Sequence, residues 1–157
     1  MKFEKYFADK YISTFQIKNG RIQLGDSRLE FPKSSVKISG WLDFNQNVDL
    51  KFKGSIENLG LVLEKSSGKA DFDLALSKSW IHPQWHGTIQ MDTGKYAPVY
   101  WNNSQIQINL DDKLEGTVNG TFTGFRIGTQ SFDKASLSLV LRDPVIQLKE
   151  FLLEQKK

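Results

Sequence analysis

Ala70-Asp71-Phe72-Asp73-Leu74-Ala75-Leu76-Ser77 sets an apolar side chain at every second position. Successive side chains of an extended strand point to opposite faces, so this spacing makes one greasy face and one wet face. The pattern recurs on both sides. Val48, Leu50 and Phe52 alternate with Asp49, Lys51 and Lys53, and Ile106, Ile108 and Leu110 alternate with Gln105, Gln107 and Asn109. Leu137, Leu139 and Leu141 carry it once more. From Val36 to Leu141 the alternation predicts an all-β, antiparallel sheet. Strands are expected over 36–44, 47–56, 69–77, 85–92, 104–110, 114–125 and 135–141. The turns between them include Asn45-Gln46-Asn47, Ser66-Ser67-Gly68, Thr93-Gly94 and Asp111-Asp112.

Upstream, Phe15 and Ile17 and then Ile22 and Leu24 flank Asn19-Gly20, a dipeptide suited to the positive φ angles of a tight hairpin. At the start, Phe3, Tyr6, Phe7 and Tyr11 follow a helical spacing and predict an amphipathic helix over 1–13. At the end, Asp143 and Pro144 are placed to cap and begin a helix, and Val145, Leu148, Phe151 and Leu152 form its stripe over 143–157. A weak repeat also stands out, in which a glycine precedes a short apolar alternation: Gly40-Trp41-Leu42, Gly87-Thr88-Ile89 and Gly116-Thr117-Val118. With Gly120 and Gly124, these glycines predict bends that let the sheet curl strongly.

The chain has 157 residues, which suits a single domain over 1–157 with a curled sheet at 14–141. No run approaches the roughly 18 apolar residues of a membrane-spanning helix, and the start lacks the features of a signal peptide. The expectation is a soluble chain, or a soluble piece excised from a longer one. Cysteine is absent, which removes disulfides, thiol catalysis and cysteine-ligated metals. The net charge is +3, but lysines are interleaved with aspartates, so no basic stripe tracks a phosphate backbone and nucleic acid is not an expected partner.

No residue set points to catalysis. His82 and His86 have a spacing that suits zinc only on a helix, and Pro83 lies between them. On a strand, residues four apart are separated by about 13 Å, too far to share an ion. Asp71 and Asp73 lie roughly 6.5–7 Å apart on one strand face, a distance found for carboxylate pairs of inverting glycosidases but common to every D-x-D in a strand. No nucleophile elbow or phosphate loop occurs. The expectation is a non-enzyme without metal or cofactor. Trp41, Trp80, Trp85, Tyr96, Tyr100 and Trp101 suit either packing or a belt where a greasy surface meets water.

The stretch ADFDLALSKSWIHPQWHGTIQMDTGKY, Ala70 to Tyr96, resembles a motif of the TamB proteins, relatives of the AsmA-like lipid-transfer proteins. There, apolar alternation runs into a segment whose apolar, proline and glycine positions correspond here to Ile81, Pro83, Trp85, Gly87, Ile89, Met91 and Gly94. Ser39 to Leu42 and VDLKFKG at 48–54 look like the preceding strands, and LEGTVNGTFTGFRIGTQSFDKASLSLVL at 114–141 like the following ones. The resemblance covers about 36–141 and leaves both ends unmatched. It implies a sheet curled into a U-shaped apolar groove, within a long periplasmic protein tethered to the inner membrane by an N-terminal anchor. It implies lipid transport, outer-membrane biogenesis and protein secretion as roles. The implied partners are phospholipid acyl chains, neighbouring segments of the same chain, and an outer-membrane Omp85-type, TamA-like barrel.

The alternation leads to a compatible expectation, since a one-sided sheet must close, stack or leave an apolar trough. The expected lining is Leu42, Phe44, Val48, Leu50, Phe52, Phe72, Leu74, Leu76, Ile89, Met91, Ile106, Ile108, Leu110, Val118, Leu137 and Leu139. Parity also allows a small outer-membrane β-barrel or a closed, lipocalin-like binding or scaffolding domain. Raw strand edges in an excised piece further predict self-association.

Overall fold

The computed structural model describes residues 10–61, 63–142 and 145–155. Among them, fourteen strands form one antiparallel sheet. In chain order the strands are β1 (Lys10–Ile12), β2 (Phe15–Lys18), β3 (Arg21–Phe31), β4 (Ser34–Asp43) and β5 (Asn47–Ile56). A short 3-10 turn at Leu59–Leu61 precedes β6 (Ser66–Ser67), β7 (Ala70–Ser79), β8 (Pro83–Met91), β9 (Gly94–Tyr96) and β10 (Val99–Trp101). The last four are β11 (Asn103–Leu110), β12 (Gly116–Ile127), β13 (Gln130–Arg142) and β14 (Val145–Glu154).

The long strands run as a meander, β3-β4-β5-β7-β8-β11-β12-β13-β14, with β1 and β2 both paired to β3. Short β6, β9 and β10 make a side ladder that joins the end of β12 beyond its pairing with β11. Within the described residues the sheet does not close, because β14 pairs only β13 and the first strands pair only β3. Elements in substantial contact are hydrogen-bonded strand neighbours, apart from the 3-10 turn against β6, so among the described residues no second layer lies on the main sheet beyond one covered margin.

The predicted strands are all present, and the local turn chemistry explains their joints. Asn19 and Gly20 take φ of 51° and 71°, as the β2–β3 hairpin requires, and Ile17 lies opposite Ile22. Between β4 and β5, Gln46 has a φ of 71°, and Asp43 holds the turn by accepting from the Asn47 backbone at 2.8 Å and its amide at 3.0 Å. The Asn47 side-chain hydrogen bond, joined by backbone donors and Arg21, holds the Asp43 carboxyl below its ordinary value against the opposing effect of desolvation.

The ends differ from expectation. Residues 145–154 form a strand, not a helix. The register slips between Ser138 and Leu139, leaving Lys149 as an extra residue in β14. Ile146 and Leu148 before the bulge, and Phe151 and Leu153 after it, therefore face the same side as Leu141, Leu139, Leu137 and Ala135. The expected helical stripe mixes both strand faces, since Leu148 and Phe151 lie on the apolar side while Val145 and Leu152, opposite Arg142 and Ser136, lie on the other. The proposed cap at Asp143 and Pro144 lies outside the described residues, as do Phe3, Tyr6 and Phe7 of the expected N-terminal helix. Lys10–Ile12, the end of that segment, is strand β1, with Tyr11 opposite Leu29.

Candidate functional site

Register converts the alternation into a surface. Directly paired residues of antiparallel strands project from the same face. One row crosses the sheet through Leu24, Gly40, Leu50, Leu76, Trp85, Leu110, Gly116, Leu141 and Ile146. The next passes through Ile38, Phe52, Leu74, Gly87, Ile108, Val118, Leu139 and Leu148. A third runs Val36, Gly54, Phe72, Ile89, Ile106, Gly120, Leu137 and Phe151. Met91 lies opposite Ala70 in a fourth row, and Leu42 lies between Ile22 and Val48 at the other margin.

Fifteen of the sixteen expected lining residues thus share one face, and only Phe44 does not. β4 ends at Asp43, and Phe44 sits in the turn, 70 % exposed, its backbone N–H donating to Gly20 at 3.3 Å. The expected lining leaves out Ile22, Leu24, Val36, Ile38, Phe122 and the apolar side of β14, which register brings onto the same face. Bulges in β3 and β14 keep those strands on it despite a change of parity.

Burial of this face is uneven. At one margin the 3-10 turn and the β9–β10 hairpin fold over it, and Leu59, Ala70 and Trp101 make a small buried core with Ile56, Ile89, Met91, Val99 and Phe122 around it. Gly94 is required there, because a Cβ would come within 2.8 Å of the Trp101 ring. From that core an aromatic line runs through Phe122, Phe125 and Phe151, with centroids 5.7–6.2 Å apart. Away from the margin, Leu50, Phe52, Phe72, Leu74, Ile106, Ile108, Val118, Leu137 and Leu139 are only half-buried, and Phe52 meets Trp85 at 5.9 Å. The whole chain exposes 11182 Å², where a compact monomer of this length exposes about 8,000 Å².

The opposite face is hydrophilic and locally paired. Lys53 lies 3.6 Å from Asp73, Lys134 3.7 Å from Glu154, and Ser138 donates to Asn119 at 2.7 Å. Asp71 and Asp73 both belong to it, opposite Ser55 and Lys53. His86 is on the same face between Ala75 and Asn109, whereas His82 sits beyond the strand with Nδ1 3.3 Å from Asp112. The aromatics do not gather into a belt. Trp41 is on the hydrophilic face under Arg21, Trp85 on the apolar face and Trp101 in the core, while Trp80 and Tyr96 are exposed. A concavity of about 750 Å³ beside β10 and β12 has a mixed lining that includes Tyr100, with Arg126 stacked on it at 4.4 Å, Asn102 and Ser131.

Among the described residues the arrangement presents one large, ordered apolar face. No protein-family model matches the chain, and neither a curated protein nor a solved structure matches it.

Proposed function

We propose that this chain is a segment of a periplasm-spanning, TamB-like protein. Its apolar face, curled into an open groove, shields phospholipid acyl chains in transit between the inner and outer membranes. Greasy strands of outer-membrane proteins are a second cargo of the same surface, which links the groove to outer-membrane assembly and to a TamA-like barrel partner. The observation that carries this reading is the continuity of the apolar rows from β3 to β14, with no second layer over most of them among the described residues. Such an expanse on a soluble monomer is unusual and marks a surface with an apolar occupant. Each methylene it takes from water contributes about 0.8 kcal/mol, so a lipid tail needs no polar site. Because neighbouring rows are chemically alike, a tail can slide between them without a steep barrier.

Curling is supported by the strand glycines. Gly40, Gly87 and Gly116 have φ of 120°, 149° and 147°, and each lies so close to the adjacent strand that a Cβ would sit within 2.2 Å of a carbonyl oxygen. These are local distortions of the kind that bend sheets.

Native mass spectrometry with lipid extraction, on chain purified without detergent from a two-membrane bacterium, tests the proposal. Co-purified phospholipid that is lost in Leu74→Asp, with the fold retained by circular dichroism, is the expected result. A lipid-free wild-type chain that also fails to take up added phospholipid would overturn it in favour of a scaffolding β domain.

A further inference from the structure

The covered margin of the apolar face holds two polar atoms with nothing to bond. Ser27, Asp43 and Ser104 are the buried polar residues among those described. The Ser27 hydroxyl lies 2.7 Å from that of Ser13, and the Asp43 carboxylate accepts from Asn47. The Ser104 hydroxyl, on a residue only 7 % exposed, has no partner among the described residues. The same is true of the indole Nε1 of Trp101, a residue 6 % exposed. Leaving a buried polar group unpaired costs at least as much as a hydrogen bond contributes, so such groups point to an occupant.

The two residues share their neighbours. Ser104 stands in the fourth row of the apolar face, between Met91 and Phe122. Both of these pack against the core that contains Trp101, and the Phe122 and Trp101 rings meet at 6.1 Å. Ile106 and Ile108 follow Ser104 on the same side of β11, so the margin leads directly onto the uncovered rows.

We propose that Trp101 and Ser104 anchor one acyl ester, whose carbonyl oxygen accepts from the Trp101 Nε1–H and from the Ser104 hydroxyl while its hydrocarbon tail lies along the apolar rows. The inference rests on the reading of that face as an acyl-chain surface and adds where the polar end of the chain is held. An indole N–H only donates, so the occupant must bring an acceptor, which excludes an ammonium group at this point. A carbonyl oxygen has two lone pairs, one for each donor. The core and the side chains packed against it are apolar without exception. An ionised carboxylate would be buried there with no counter-ion, whereas an ester is neutral. Entry is through the cover itself, whose β9–β10 hairpin is paired to β12 at two positions and to β6 at two, few enough to part.

Nuclear magnetic resonance of the nitrogen-labelled full chain reads the anchor at the atom concerned, the Trp101 indole signal being the one lost in Trp101→Phe. The probes are decanoyl sucrose and decyl maltoside, each below its micellar concentration. Both join a chain of matched length to a disaccharide, and only the first has an ester carbonyl. Each should perturb the Leu74 and Ile108 signals by occupying the face, while decanoyl sucrose alone should move the Trp101 indole proton downfield. Ser104→Ala should bind decanoyl sucrose about fivefold more weakly and decyl maltoside as well as wild type does. That variant removes an unpaired hydroxyl and leaves the packing, so it should be no less stable than wild type in urea, which separates a lost anchor from a lost fold.

An indole signal that stays put, or moves equally with both probes, would refute the anchor while both still bind and the acyl-chain reading stands. So would a Ser104→Ala variant that binds the ester as tightly as wild type, or a water retained at the indole under saturating decanoyl sucrose. Binding of neither probe would remove the acyl-chain reading and the anchor with it.

Discussion

At the scale of single residues, the glycines carry information that composition does not. Gly40, Gly87 and Gly116 open the three copies of the weak repeat, and all three take positive φ inside a strand. Gly87 is the clearest case. A Cβ there would lie 2.2 Å from the Asp73 carbonyl oxygen and 2.8 Å from the Leu74 Cα, both backbone atoms that a rotamer change cannot move. Gly87→Ala should therefore cost about 3 kcal/mol from strain alone, read as a drop in the urea midpoint. An alanine variant as stable as wild type would mean that the strand does not approach its neighbour this closely. The repeat is legible in sequence as glycine followed by alternation. Its cause, the carbonyl of the neighbouring strand, is a partner distant in sequence and could not be read there.

At the scale of elements, turn chemistry was the most legible part. Asn19-Gly20 and Asn45-Gln46-Asn47 mark their hairpins because both need backbone conformations that few residues accept. In the second, Asp43 contributes through its ionised carboxylate, held below its ordinary value by Asn47. A depressed folded-state value stabilises the protein above the unfolded value, about 3.9, and that contribution fades as pH falls through the folded value. Asp43→Asn should thus lower the urea midpoint at pH 7 and lower it less at pH 3. An equal loss at both would remove the charge from the account. β14 was not legible in the same way. Apolar residues stand on both of its faces, so Val145, Leu148, Phe151 and Leu152 fit a helical spacing, and only the ladder with β13 sorts them between the two sides.

At the scale of the whole molecule, the open edge decides the shape. A compact chain of 157 residues has a radius of gyration near 15 Å by the usual scaling. An unclosed sheet with no second layer should exceed that clearly in small-angle scattering extrapolated to infinite dilution, where self-association no longer contributes. A value at or below the compact one would require a closed barrel or a covered face. Period two is a local property and short turns pair neighbours, so the residue pattern alone was enough for the β class, the strands between Val36 and Leu141 and fifteen residues of the apolar face. Strand order, the strands at both ends and the open edge are non-local and emerged only in the assembled sheet. Register assembled Ile22, Ile38, Phe122 and Phe151 into common rows with residues far along the chain. The β9–β10 hairpin and the 3-10 turn cover one margin of the face, and among the described residues β14 does not meet the first strands and no layer lies over the rest. Alternation says which side of a strand is greasy; closure depends on the summed twist and bend of many strands, which no single segment encodes.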